Sequence, residues 1–168
     1  APAHYASFSG CSIAAVVSYE TPLGHVPVDM EAVRQLSRFG LISTRALRYR
    51  RNTFLKDDSR SRLHEGEHAI EMVLPFLQAT LQKFKLIPIL VGELNGADGK
   101  RSENVLESVA EQLKLQLDDR TLLVVSTDLT HFGNEFGYLP FDENILERLE
   151  QLDKNMCNVI IEHDYDKL

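Results

Sequence analysis

The sequence predicts an α/β protein with a mostly parallel central sheet and helices on both of its faces. Apolar runs of strand length alternate with periodic segments of ten or more residues, which is the pattern of strands joined by crossover helices. Residues 121–125 form a continuous apolar run rich in β-branched side chains, which is typical of a strand buried on both faces. The 168 residues are 43% hydrophobic, so we expect one domain over residues 1–168.

The first elements follow from turn and capping chemistry. A strand is expected over residues 11–19 because apolar and β-branched residues dominate there. The segment Thr21-Pro22-Leu23-Gly24 has the composition of a turn and closes this strand. Asp29 is a good N-cap for a helix that continues to Phe39, with apolar residues along one face.

The middle of the chain is predicted to contain a loop, a helix and a strand. Residues 45–62 are polar, charged and poorly periodic, so we interpret them as a loop. A helix is expected over residues 67–84, where Pro75 predicts either a kink or a late start. A strand is expected over residues 86–92, and Pro88 indicates an edge strand or a strand start.

The last third repeats the alternation. After a loop at residues 95–99, Ser102 opens a helix with apolar residues at helical spacing. The buried strand is expected over residues 121–126. Asp142 is predicted to cap a long final helix whose apolar face extends to Ile160.

Composition excludes several classes of protein. A net charge of -7 argues against a nucleic-acid surface, which needs clustered Lys and Arg. No apolar run approaches the roughly 20 residues of a membrane span, and no signal peptide is visible. The two cysteines form no disulfide framework and suit a reducing compartment. We therefore expect a cytoplasmic protein.

The predicted buried strand leads directly into the candidate catalytic residues Asp128 and His131. In open α/β sheets, ligands bind at the carboxyl ends of the strands. Because Asp128 lies three residues before His131 across a turn, its carboxylate can orient the imidazole. That pair suits a general acid/base, or a metal ligand with a supporting carboxylate. The alternative is that Asp128 caps a helix whose first turn holds His131.

Two further histidines are predicted to meet the same sheet edge. His68 is flanked by Glu67 and Glu71, although these acids also suit an ordinary helix start. His4 precedes a loop of small residues, which leaves room around its ring. The other histidines are expected at the surface, namely His25, His64 and His163.

Five segments resemble, in order and spacing, motifs of the Memo (mediator of cell motility) family. Glu67-His68-Ala69-Ile70-Glu71-Met72-Val73-Leu74-Pro75-Phe76 is similar to the family's Glu-His-Ser-Ile-Glu-Met-x-Leu-Pro-Tyr/Phe. The segment Val124-Val125-Ser126-Thr127-Asp128-Leu129-Thr130-His131-Phe132-Gly133 is similar to Val-Val-Ser-Ser-Asp-x-x-His-Trp/Tyr-Gly. The other three lie at residues 2–4, 19–23 and 86–92, so the likeness covers nearly the whole chain.

The resemblance implies a fold similar to the LigB-like class III extradiol dioxygenases, a three-layer sandwich whose sites hold non-haem iron. It implies that His4 is a metal-site histidine. It places His131, with Asp128 beside it, in the position of the dioxygenase acid/base. It also implies that His68 and Glu71 line the same pocket. Members are credited with redox chemistry that uses Cu or Fe, so a metal-dependent oxidoreductase is one expectation.

The resemblance also implies what lies outside this sequence. The family's first site histidine should precede residue 1, and its site cysteine should follow residue 168. We therefore expect a piece of a longer polypeptide, a single Memo-like domain that is incomplete at both ends. The alternative function is a non-catalytic adaptor in receptor tyrosine kinase signalling and cell motility. Its pocket would receive a small molecule or a peptide, such as a phosphotyrosine-containing receptor segment.

Overall fold

The computed structural model describes residues 1–6, 8–40, 42–43, 63–95, 99–100 and 102–164. The chain divides into two compact units, Ala1–Thr127 and Asp128–Leu168. The described part of the first unit contains five strands and three helices, and that of the second contains one long helix. The loop expected at residues 45–62 lies outside the described residues.

A three-stranded sheet organises the first unit. Its central strand is β1 (Cys11–Ile13). The strand β4 (Ile42–Ser43) pairs with β1 in parallel, and β5 (Ile89–Val91) pairs with it antiparallel. The strands β2 (Ser18–Thr21) and β3 (Gly24–Pro27) form a separate antiparallel hairpin. The α/β class is therefore confirmed, whereas the sheet of the described residues is small and mixed.

The helix α1 (Met30–Leu36) begins where the sequence predicts. The Asp29 carboxylate accepts the backbone N–H groups of Glu31 and Ala32, at 3.1 and 3.2 Å, which confirms the predicted N-cap. The helix lies between β3 and β4 in the chain. It contributes two buried residues to the core around β1, Val33 and Leu36.

The helix α2 (Leu74–Thr80) has the late start that its proline predicts. Pro75 occupies the first turn, where its missing N–H costs no hydrogen bond. The residues from Ala69 to Val73 form turns rather than helix. As a result, Glu67 and His68 lie on irregular backbone before the helix, where their main-chain N–H groups remain available to side chains.

The prediction of a buried strand over residues 121–126 is wrong for the described structure. The helix α3 (Glu103–Lys114) follows Ser102 as expected, but residues 121–126 have no regular structure. The apolar side chains of residues 122–125 are 41–72% exposed. A strand needs a neighbour to pair its N–H and C=O groups, and no strand of the described residues pairs with this segment.

The second unit is built around α4 (Ile145–Glu162). The predicted N-cap was Asp142, but the helix follows Asn144, whose φ of 52° is left-handed. None of the α4 residues is buried. Among the described helices, none combines the length and apolar character that a membrane crossing requires.

The start of the chain runs beside β5 and so places His4 in the fold. The Val91 N–H donates to the Ala1 carbonyl at 2.8 Å, and the Ala3 N–H donates to the Val91 carbonyl at 3.1 Å. Farther along, the Glu93 N–H donates to the Phe8 carbonyl at 2.7 Å. His4 therefore lies between two stretches that are hydrogen-bonded to the β5 edge.

This pairing requires a glycine at position 92. A Cβ atom on Gly92 would lie 2.3 Å from the Phe8 carbonyl oxygen and 2.8 Å from the Phe8 ring, whereas one on Gly40 would meet nothing within 4 Å. We expect Gly92→Ala to lower the free energy of unfolding by about 1–3 kcal/mol, because backbone must shift to relieve the overlap. The measurement is urea unfolding of both variants. Equal effects of Gly92→Ala and Gly40→Ala would contradict the close approach.

Candidate functional site

Two histidines and a glutamate meet in the first unit. His4, Glu67 and His68 each offer a ligand atom, and these atoms lie within 4.8 Å of one another. His4 comes from the segment beside β5, and the other two come from the irregular backbone before α2. The structure thus brings together the predicted metal residue His4 and the predicted pocket residue His68, with Glu67 between them.

Glu67 is the buried member of this cluster. Its side chain is 2% exposed. The carboxylate accepts the His4 backbone N–H at 2.6 Å and the His68 backbone N–H at 2.9 Å, and it lies 2.9 Å from His4 Nδ1. Burial disfavours the charged form, but the hydrogen bonds from His4, His68 and Ala69 outweigh it and hold the Glu67 pKa below its usual 4.5. Glu67 is therefore ionised at neutral pH.

The two imidazoles are stacked and partly open to solvent. The His4 and His68 ring centroids lie 4.8 Å apart with 29° between the ring planes. The His4 side chain is 28% exposed and that of His68 is 41% exposed. The Tyr5 ring lies 5.5 Å from the His68 ring. The His68 Nδ1 atom is buried and lies 3.2 Å from Glu67 Oε1, although it makes no well-formed hydrogen bond within the described residues.

Glu71 is exposed and does not belong to the cluster. It lies on the turns that connect His68 to α2. Together with burial, which is the larger cause, its charge raises the pKa of the Tyr19 hydroxyl. A pocket-lining role for Glu71 stays a prediction.

The second unit brings Asp128 and His131 together. His131 Nε2 is hydrogen-bonded to an Asp128 carboxylate oxygen, and both side chains are about half exposed, at 51% and 57% for His131 and Asp128. No helix begins at Asp128, so the capping alternative is wrong. Between them, Thr130 donates from its N–H and its hydroxyl to the Asp153 carboxylate, at 3.2 and 2.6 Å. This contact ties the loop to α4.

His64 is the histidine that the sequence placed wrongly. It was expected at the surface, but it lies half-buried in a 3₁₀ turn, Leu63–Glu65. Its Nε2 atom lies 3.2 Å from the Ser12 hydroxyl oxygen, and its Nδ1 atom lies 3.0 Å from the Tyr19 hydroxyl oxygen. Burial lowers the His64 pKa to about 4, against smaller opposing effects of Ser12 and Glu67. No local signal predicts these contacts, because the partners are 52 and 45 residues away.

A cleft of about 430 Å³ opens between the hairpin and the segment that follows α2. Its walls include His25, Phe84 and the two lysines Lys83 and Lys85. The predicted site residues are not among its lining residues. The cleft and the His4 cluster are therefore separate features of the first unit.

Fold and site together define an α/β protein with a paired-histidine cluster built on a buried glutamate. The whole chain, residues 1–168, matches the sequence model of the family described as "Memo-like protein". The chain belongs to the Memo family.

Known relatives agree with this assignment. The chain is 31% identical over 168 residues to "Protein memo-1 homolog" of Caenorhabditis elegans, which covers 95% of this chain and 41% of that protein. It is 28% identical over 170 residues to "Protein MEMO1" of Homo sapiens and of Xenopus laevis, covering 97% of this chain and 50% of each relative. The chain thus spans about half the length, or less, of these relatives.

The contacts of His64 predict that the folded state loses stability in acid. The unfolded chain takes up the His64 proton near pH 6.5, whereas the folded chain does so only near pH 4. Between these values the unfolded state binds more protons, so stability is complete above pH 6.5 and falls as the pH drops towards 4. The loss from this group is at most about 3–4 kcal/mol, since each pKa unit between 6.5 and 4 corresponds to about 1.4 kcal/mol.

The check is urea unfolding at several pH values for wild type and His64→Gln, which cannot take up this proton. The stability advantage of wild type over the variant should shrink as the pH falls from 7 to 4. His25→Gln, which alters an exposed histidine, serves as the control and should keep a constant difference. A constant difference for His64→Gln as well would contradict the lowered pKa.

Proposed function

We propose that this chain carries a transition-metal site of a Memo-type protein, in which His4 and His68 bind Cu or Fe. The observation that supports it is the approach of the ligand atoms of His4, Glu67 and His68 to within 4.8 Å. The two imidazoles come from chain segments more than 60 residues apart, and together they would supply two nitrogen ligands to one metal ion.

The donor chemistry fits this proposal. Imidazole nitrogen suits Cu, Fe, Zn and Ni, whereas Mg²⁺ and Ca²⁺ prefer oxygen ligands. The ionised Glu67 carboxylate adds a negative charge that favours a cation at this place. Cys11 is a poor candidate as a further ligand, because burial raises the pKa of its thiol to about 11 and keeps it protonated.

A bound Cu or Fe ion would supply one-electron chemistry, which makes redox activity part of the proposal. His131 is proposed to hold or move the proton. Its Nε2 atom is engaged by Asp128, so Nδ1 is the ring nitrogen that can accept a proton from a substrate. Glu71, exposed on the turns that follow His68, is proposed to line the pocket.

The LigB-like layered fold with a mostly parallel sheet belongs to the same proposal. Within the described residues, β1 and β4 are parallel strands and α1 lies between them in the chain, which is the connection that builds such sheets.

Metal binding is tested directly on the purified chain. We expect about one equivalent of Cu²⁺, or of Fe²⁺ under anaerobic conditions, to remain after dialysis, as one two-histidine cluster provides one site. The ion content is measured by elemental analysis and the affinity by calorimetry. His4→Ala and His68→Ala should each abolish stoichiometric retention, because each removes one imidazole.

His25→Ala is the matched control, since His25 is an exposed histidine on β3. It should retain the metal. Failure of wild type to bind either ion, or equal losses in all three variants, would overturn the metal proposal. The better account would then be a pocket that binds a small molecule or a peptide without metal.

The role of His131 is tested with the copper-loaded chain, ascorbate as reductant and dioxygen as oxidant. We expect His131→Ala to lower the rate of oxygen uptake by about 100-fold, the usual contribution of a general acid/base. Its copper content should stay unchanged, because His131 is not one of the proposed metal ligands. Glu147→Gln, an exposed change on α4, is the control. An unchanged rate in His131→Ala would contradict the proton-transfer role.

A further inference from the structure

The Glu67 carboxylate is surrounded by N–H donors on both oxygens. Oε2 accepts the His4 backbone N–H at 2.6 Å. Oε1 accepts the backbone N–H groups of His68 and Ala69, at 2.9 and 3.3 Å, and lies 2.9 Å from His4 Nδ1. An ionised carboxylate has about four lone-pair positions. Its acceptor capacity is therefore used by the protein itself.

These contacts decide the protonation of the His4 ring. An ionised carboxylate has no hydrogen to donate, so Glu67 accepts from His4 Nδ1 across the 2.9 Å contact and this nitrogen carries the proton. In a neutral imidazole the other nitrogen, Nε2, then holds a free lone pair. Nε2 is consequently the atom of His4 that can bind a metal ion.

We infer that Glu67 is a positioning residue: it holds His4 in the tautomer that presents Nε2 as the ligand atom, and it does not bind the ion itself. Hydrogen-bonded carboxylates commonly orient metal-binding histidines in this way. The inference about the tautomer stands on the contacts of Glu67 alone. The part that concerns the ion rests on the proposed metal-binding function.

The geometry around Glu67 suits this role better than direct ligation. The carboxylate holds His4 at two points, the main chain and the ring, which fixes both the position and the orientation of the imidazole. Its side chain is 2% exposed, compared with 28% for His4 and 41% for His68. An incoming ion therefore meets the imidazoles before the carboxylate. To bind Glu67, it would have to displace backbone N–H donors of His4, His68 or Ala69.

The tautomer is tested on the metal-free chain by long-range ¹H–¹⁵N NMR of the histidine rings at pH 7.5. His4→Ala assigns the His4 signals. In wild type we expect a protonated Nδ1 and an unprotonated Nε2. In Glu67→Gln, whose amide can donate as well as accept, we expect a mixture of both tautomers. Glu107→Gln, an exposed change on α3, is the control and should leave the His4 signals unchanged.

A wild-type His4 that is protonated on Nε2 would overturn the inference. That result needs no variant, so it decides the matter even where Glu67→Gln fails to fold. A failure of wild type to bind metal, combined with the expected tautomer, would instead remove the proposed function and leave the positioning role of Glu67 in place. The two failures are thus distinguishable.

The metal part is tested by adding Cu²⁺ to wild type and to folded Glu67→Gln. We expect the variant to bind about 10- to 100-fold more weakly, the usual cost of removing a carboxylate that orients a ligand histidine. The electron paramagnetic resonance spectrum at saturation should match that of wild type, because the ligand atoms are the same. An altered spectrum would show that the carboxylate binds copper directly, and an unchanged affinity would show that it does not position His4.

Discussion

The candidate site depends on the hydrogen bonds that the buried Glu67 carboxylate accepts. A charge removed from water is tolerated only where hydrogen bonds replace its hydration. Here the replacement comes from two segments that are 63 residues apart, the backbone and ring of His4 and the turn that carries His68. Stabilising the carboxylate and assembling the two histidines are therefore one event. Any change that separates the segments leaves a buried charge without partners, which couples the geometry of the site to the stability of the first unit.

The surrounding fold brings these two segments together. The pairing of the first residues with β5 delivers His4 to the edge of the small sheet. The proline at the start of α2 delays the helix, so Glu67 and His68 remain on irregular backbone, where the N–H groups of His68 and Ala69 point to the carboxylate rather than into a helix. Asp128 and His131 form a second polar pair within the other unit. Each group is assembled by contacts within its own unit, and family membership is what relates both to one proposed function.

Local chemistry was predicted well from the sequence. The Asp29 cap, the late start at Pro75 and the helix after Ser102 all follow from the conformational preferences of single residues, and the structure confirms them. Long-range contacts were not predicted. The run at residues 121–126 has every local property of a strand, yet strand formation depends on a partner that local properties do not specify. His64 was misplaced for the same reason, since its partners Ser12 and Tyr19 come from distant parts of the chain.

The sequence by itself determined the class of the protein, the N-cap of α1, the late start of α2, and the histidines worth examining, because these depend on residue type and on neighbours within a few positions. It also carried the motifs by which the Memo family is recognised. Only the tertiary structure decided that Glu67, rather than Glu71, is the acid that contacts His4, and that His68 stacks on the same ring. Two acids four residues apart look equivalent in sequence. Burial and the number of N–H donors within reach separate them, and both are properties of the folded chain.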